Sequence, residues 1–275
     1  MIEGRFQNTR GQNIYTVRWM PEADPKAIVL LVHGVAEHSG RYQHIADALT
    51  QQGYALFALD HFGHGKSDGV RAYVENFNDL VTDLEQYFDQ IRQEYPDKKI
   101  FVYGHSMGAL VGLIFTLKHQ ADLAGFLSSG TPLMLDTAAP KIIVSLANAI
   151  SRVVPRLPLI PLNPKQLSHD PALIQAHAND SLIYHRPARV GTVVNIIKSA
   201  IQAREKVHTL QLPLFIFHGT ADSITPPSGS EFLFKQAGSS DKTLKLYDGM
   251  YHETHNELDK ATVINDILTW LNAHN

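Results

Sequence analysis

A serine, an aspartate and a histidine stand in this chain in the order and settings that acyl transfer through a serine hydroxyl requires. Ser106 lies within Gly104-His105-Ser106-Met107-Gly108, a Gly-x-Ser-x-Gly pattern. Between a strand and a helix, this pattern makes a sharp turn that holds the serine in a strained conformation, and the glycines let strand and helix pass each other. A serine hydroxyl is a poor nucleophile until a base takes its proton and a third group orients the base. Asp222 follows in His218-Gly219-Thr220-Ala221-Asp222 and His252 in Asp248-Gly249-Met250-Tyr251-His252, each just past an apolar run. The tetrahedral intermediate of such a reaction needs preorganised donors for its negative oxygen. The backbone amide of Met107, at the start of the helix after Ser106, is one candidate, because unpaired N–H groups and the helix dipole favour an anion there. The amide of Val35, just past His33-Gly34, is the other. Glu37, Arg41 and His255 are polar residues that could face the same mouth, and each taken alone reads as an ordinary surface residue.

These residues need a scaffold, and the apolar runs supply one. Glu3 to Thr9 and Asn13 to Met20 flank Arg10-Gly11-Gln12 and read as a hairpin at a sheet edge. Ala27 to Val32, Tyr54 to Leu59, Ile100 to Val102, Leu123 to Leu127, Pro213 to Phe217 and Thr243 to Tyr247 read as buried strands of a largely parallel sheet. Helical patterns lie between them: about Tyr42 to Gln52, Phe77 to Tyr95, the run after Ser106, Gly229 to Gln236 and Glu257 to Asn272. Strands alternating with helices predict an α/β doubly wound sheet with helices on both faces, which binds ligands beyond the carboxyl ends of its strands. Ser106, His33 and Asp60 fall there. From about 131 to 204 the alternation stops, and eight prolines punctuate a stretch that reads as helices and turns without a strand. That segment reads as a mainly helical cap inserted into a single domain spanning 1–275. Its run Ile142, Ile143, Leu146, Ile150, Val153, Val154 has helical spacing, and is either core or, with Lys141, Arg152 and Arg156 beside it, a membrane-facing acyl gate.

Composition narrows the partners. The net charge is −3, with no basic block, so nothing favours nucleic acid. There is no cysteine, which excludes disulfides, thiolate metal sites and a cysteine nucleophile. Asp60, His61 and His64 read as a hydrogen-bonded turn rather than a metal site, and no metal or cofactor is expected. The first residues lack the apolar core of a signal peptide, and no apolar run is long enough to span a bilayer. The expected setting is cytoplasmic, with the cap as a point of transient membrane contact.

Taken together, His33 to Tyr42, Asp60 to Ser67, Gly104 to Gly108, Asp241 to Lys245 and Tyr251 to Leu258 closely resemble the monoacylglycerol lipases of the α/β-hydrolase superfamily. The resemblance implies an α/β-hydrolase fold, a triad of Ser106, Asp222 and His252, and oxyanion amides at Val35 and Met107. It also places Glu37, Arg41 and His255 near a glycerol head group, at the polar end of an acyl tunnel under the cap. Two departures stand out: Ala109 where the family often has glycine, and histidine around His177 to Asp180 where a tyrosine is expected. The activity implied is hydrolysis of monoacylglycerols to fatty acid and glycerol through an acyl-enzyme. The rivals are a lysophospholipase or broad carboxylesterase, and a noncatalytic binding protein on the same fold.

Overall fold

The structure is a computed structural model that describes residues 1–137 and 140–275, with only the backbone of Lys141. The chain opens with the hairpin β1 (Ile2–Gln7) and β2 (Asn13–Trp19), followed by β3 (Ala27–Val32), α1 (Gln43–Gln51) and β4 (Tyr54–Leu59). Then come α2 (Phe77–Glu94), β5 (Ile100–His105), α3 (Met107–His119) and β6 (Gly125–Ser129). Next the chain leaves the sheet for α4 (Lys141–Val153), β7 (Pro158–Ile160), α5 (Pro171–Asn179), β8 (Ala188–Arg189) and α6 (Val190–Arg204). It returns with β9 (Leu214–Gly219), α7 (Ser228–Gln236), β10 (Lys242–Tyr247) and α8 (Lys260–His274).

Eight strands form one sheet in the order β1-β2-β4-β3-β5-β6-β9-β10. From β4 to β10 all neighbours pair in parallel, whereas β1 and β2 pair antiparallel at the edge. This is the mostly parallel α/β sheet that the sequence predicts. Successive side chains of a strand point to opposite faces, and here both faces are apolar. Ile28, Leu30 and Val32 pack with α2, α3 and α6, while Val29 and Leu31 pack with α1 and α8 on the other side. Continuous apolar runs such as β3 follow from this double covering, because each residue has a helix above or below it.

The excursion between β6 and β9 differs from its expected form. It contains a small antiparallel pair, β7 with β8, where the sequence predicts no strand at all. Strands of three and two residues are too short to show a period, and Pro158 at the start of β7 points away from a strand assignment. On α4, Ile142, Ile143, Leu146 and Val153 are exposed, so among the described residues this part of the helix is not core. No described helix is long and apolar enough to cross a membrane.

Candidate active site

Ser106 sits between the last residue of β5 and the first of α3 with φ 54° and ψ −123°, a left-handed backbone that a β-substituted residue adopts only under strain. Its neighbours explain how the strain persists. The Ser106 amide donates to Ser129 O of β6 at 2.8 Å, and α3 is buried along most of its length. A Cβ on Gly104 would come within 2.6 Å of Ala109 Cα, and one on Gly108 would overlap the carbonyl oxygen of Val32. Only glycines permit this closeness.

His252 Nδ1 lies 2.6 Å from Asp222 Oδ2, and both side chains are buried. Asp222 Oδ1 accepts from the amides of Ile224 at 2.7 Å and Thr225 at 3.0 Å. Oδ2 also accepts from Thr225 Oγ1 and His218 Nε2, each at 2.8 Å. Burial alone would favour a protonated Asp222. The charge of His252 and the hydrogen bonds from His218 and His252 overcome it and hold the carboxyl well below the usual range. Burial likewise opposes charging of His252, and the Asp222 carboxylate outweighs it, so the imidazole binds a proton more readily than usual. Ser106 lines the same cavity as His252 but makes no hydrogen bond to it among the described residues, a contact that commonly tightens only with substrate in place. The amides of Val35 and Met107 donate to no acceptor among the described residues, and both residues line the space beside Ser106.

Two cavities meet at Ser106. One carries a polar cluster, Glu37, Arg41, Glu253, His177 and Tyr184 together with His252, beside the apolar Leu162, Leu167 and Ile224. The other is apolar, lined by Met107, Leu135, Ile160, Leu162, Val193 and Ile196. In the polar cavity, Arg41 Nη1 bonds Glu37 Oε2 and Glu253 Oε1 at 2.7 Å each, and Nη2 bonds Glu253 Oε2 at 2.7 Å. Glu37 Oε1 accepts from the Gly34 amide at 2.6 Å and Tyr42 hydroxyl at 2.9 Å, which ties the cluster to the Val35 turn. Burial pushes Glu37 upward against the pull of Arg41. Glu253 is buried too, but its two-pronged bond to Arg41 holds it down.

Of the residues anticipated at the mouth, Glu37 and Arg41 line the polar cavity and His255 does not. The His255 ring is fully buried, stacked on Tyr42 at 5.0 Å and edge-on to His105 at 4.7 Å. A polar residue in a loop after a strand reads as surface, but here α1 and the elbow close over it. Glu253 and Tyr184 were not anticipated. The signal for Glu253 was its place beside His252, and for Tyr184 there was none. The Tyr184 hydroxyl and His177 Nδ1 are buried atoms with no partner among the described residues. Asp60, weighed against a metal site, accepts from Ser39 N and Lys66 N at 2.8 Å each and so ties a turn together.

The family model Hydrolase_4, described as serine aminopeptidase, S33, matches residues 23–259. Human monoglyceride lipase is 32% identical over 268 residues, covering 96% of this chain and 88% of that protein. The chain belongs to the monoacylglycerol lipase family within Hydrolase_4. Another relative in the family is the monoacylglycerol lipase of Mycolicibacterium smegmatis, 29% identical over 99% of this chain and 97% of its own length. Among solved structures, Paleococcus ferrophilus monoacylglycerol lipase superposes with a TM-score of 0.84 at 30% identity, covering 95% of this chain and 99% of that one. Family membership and the α/β-hydrolase fold thus agree with the resemblance carried by the sequence motifs.

Proposed function

We propose that this chain is a serine esterase that cleaves monoacylglycerols to free fatty acid and glycerol. His252 Nε2 takes the proton of Ser106 as Oγ attacks the ester carbonyl, and the oxyanion is held by the amides of Val35 and Met107. His252 then gives the proton to the departing glycerol oxygen, leaving an acyl-enzyme. Water repeats the cycle, losing its proton to His252 and releasing the fatty acid and the Ser106 hydroxyl. Asp222 keeps His252 in the tautomer with Nε2 free and stabilises its cation. The observation that carries this reading is the meeting at Ser106 of a cavity that holds a polar cluster and a more apolar one. An ester with a long acyl chain and a small hydroxylated head fits such a pair. A phosphate head group fits less well, because Arg41 is already bridged by two carboxylates.

The segment from about 131 to 204 acts as the cap of a single domain spanning 1–275, supplying Leu162 and Tyr184 to the two cavities. Its helix α4 rests on a lipid surface, a reading supported by Ile142 at 78% and Val153 at 80% exposure. Glu37 and Arg41 face the glycerol hydroxyls.

The deciding experiment is glycerol release from mono-, di- and triacylglycerols of one acyl chain, with Ser106→Ala as control. Turnover confined to monoacylglycerols, and reduced by several orders of magnitude in the variant, is expected. Comparable turnover of all three would overturn the substrate, and faster release from the matching lysophospholipid would replace it. Liposome flotation of the wild type against Ile143→Asp tests α4, with weaker flotation of the variant expected and equal flotation overturning its role.

A further inference from the structure

The hydrogen bonds that orient His252 do not end at Asp222. His218 Nε2 lies 2.8 Å from Asp222 Oδ2, the same oxygen that His252 Nδ1 approaches to 2.6 Å. A carboxylate has no proton to give, so both imidazoles donate to it. On the far side of the ring, His218 Nδ1 lies 2.7 Å from Ser230 Oγ, in the first turn of α7. His218 and Ser230 are both 0% exposed, and neither lines either cavity that meets Ser106, so neither touches substrate. With its Nε2–H committed to Asp222, a neutral His218 must accept at Nδ1, and the Ser230 hydroxyl is the donor in reach. Asp222 thereby selects the tautomer of His218 as it does that of His252, and the Ser230 hydroxyl, donating to Nδ1, holds the ring from its other side.

We infer that Ser230 and His218 form a positioning unit, which holds the Asp222 carboxylate in line with His252 and shares its charge between two imidazoles. The inference rests on the triad proposed above. Fixed donors on both sides of Oδ2 resist rotation of the carboxylate. The His218 N–H also competes with His252 for the same lone pairs, which weakens the base presented to Ser106. The titratable and charged groups around His252 are Asp222, Glu253, Glu37, Arg41, His105 and His255. Asp222 is the ionisable partner of His218 among the described ion pairs. A change at His218 therefore reaches His252 through Asp222.

The test compares His218→Leu, which removes the donor, with His218→Gln, which keeps an amide donor, and with Ser230→Ala. Two readouts are followed in each: the NMR titration of the His252 ring, and kcat and KM for a water-soluble ester against pH. In His218→Leu, Asp222 serves His252 alone, so the titration and the acid limb of kcat/KM should both move up by roughly half to one pH unit. The kcat should fall on the order of tenfold, the scale of one hydrogen bond, with KM unchanged. His218→Gln should recover most of both effects. Should His218→Leu fail to fold, Ser230→Ala provides the test, with a smaller upward shift expected because the His218 ring loses its hydrogen bond at Nδ1 and is held less firmly against Asp222. An unmoved His252 titration in folded variants would overturn the inference, as would a rise in KM at constant kcat. The NMR titration needs no turnover, so a wild type inactive on every ester would refute the proposed function while leaving this inference to be judged separately.

Discussion

Arg41 is held by two carboxylates where water barely reaches it. Its side chain is 8% exposed, that of Glu37 6% and that of Glu253 3%. Burying three charges is costly, and the arrangement persists because nearly every donor and lone pair is used: Gly34 N, Tyr42 Oη and Asn256 Nδ2 complete the carboxylates. Replacing the cation leaves two anions facing each other without compensation. Arg41→Met should therefore cost about 3–5 kcal/mol of stability, measured by urea denaturation at neutral pH. A loss below about 1 kcal/mol, the usual worth of an exposed pair, would show that the cluster is solvated in solution. The sequence offers Glu37 and Arg41 only as polar residues that could face one mouth, not as an ion pair. Glu253 is 212 residues from Arg41, and no local pattern brings them together.

At the scale of elements, the elbow depends on how closely α3 can approach β3. Gly108 faces the Val32 carbonyl with no room for a methyl group, and the obstructing atoms are backbone, which cannot swing aside. Gly108→Ala must push the start of α3 away from β3, moving Ser106 and the Met107 amide with it. We expect loss of more than a hundredfold in esterase activity and destabilisation of about 1–3 kcal/mol. Activity against a soluble ester, together with thermal unfolding, checks both, and near-normal values would mean that β3 and α3 can separate without consequence. The elbow was legible because its demands are local: five consecutive residues between a strand and a helix. The β7–β8 pair was not, since its pairing depends on the ends of the excursion meeting rather than on any period within them.

Across the whole molecule, the striking charge feature is absent charge: His33, His61, His64, His105 and His255 are buried and lowered, burial being the main cause in each. His61 and His255 are pushed down to about 3 and His64 to about 4. Their folded values lie below the ordinary value of 6.5 that the unfolded chain keeps. Below that pH the unfolded chain takes up protons that the folded one refuses, so stability is full above 6.5 and drains away as pH falls. Each of these three groups loses about 1.4 kcal/mol per pH unit, roughly 4 kcal/mol together by pH 5.5. That is a large part of the ~5–15 kcal/mol typical of a domain. Asp222 and Glu253, held low, add their losses only below the ordinary carboxylate range. His33 and His105 add to this loss and His252, held up, offsets part of it, so urea titrations at pH 7.5 and 5.5 should differ by at least about 4 kcal/mol, and equal stabilities would show that the buried rings are reached by water.

The sequence by itself determined the layered sheet, the elbow and the order of Ser106, Asp222 and His252, because each rests on patterns confined to a few neighbouring residues. Short continuous apolar runs bounded by turns and alternating with helical patterns call for strands covered on both faces, and glycines flanking a serine leave one tight turn available. Tertiary structure alone decided which polar groups converge. It brought Glu253 to Arg41, turned His255 inward against Tyr42 and set His218 and Ser230 behind Asp222. The first two contacts join loops at the carboxyl ends of different strands, and where such loops meet depends on strand order and helix packing; the third closes β9, its loop and α7 on one another, and local periodicity encodes neither.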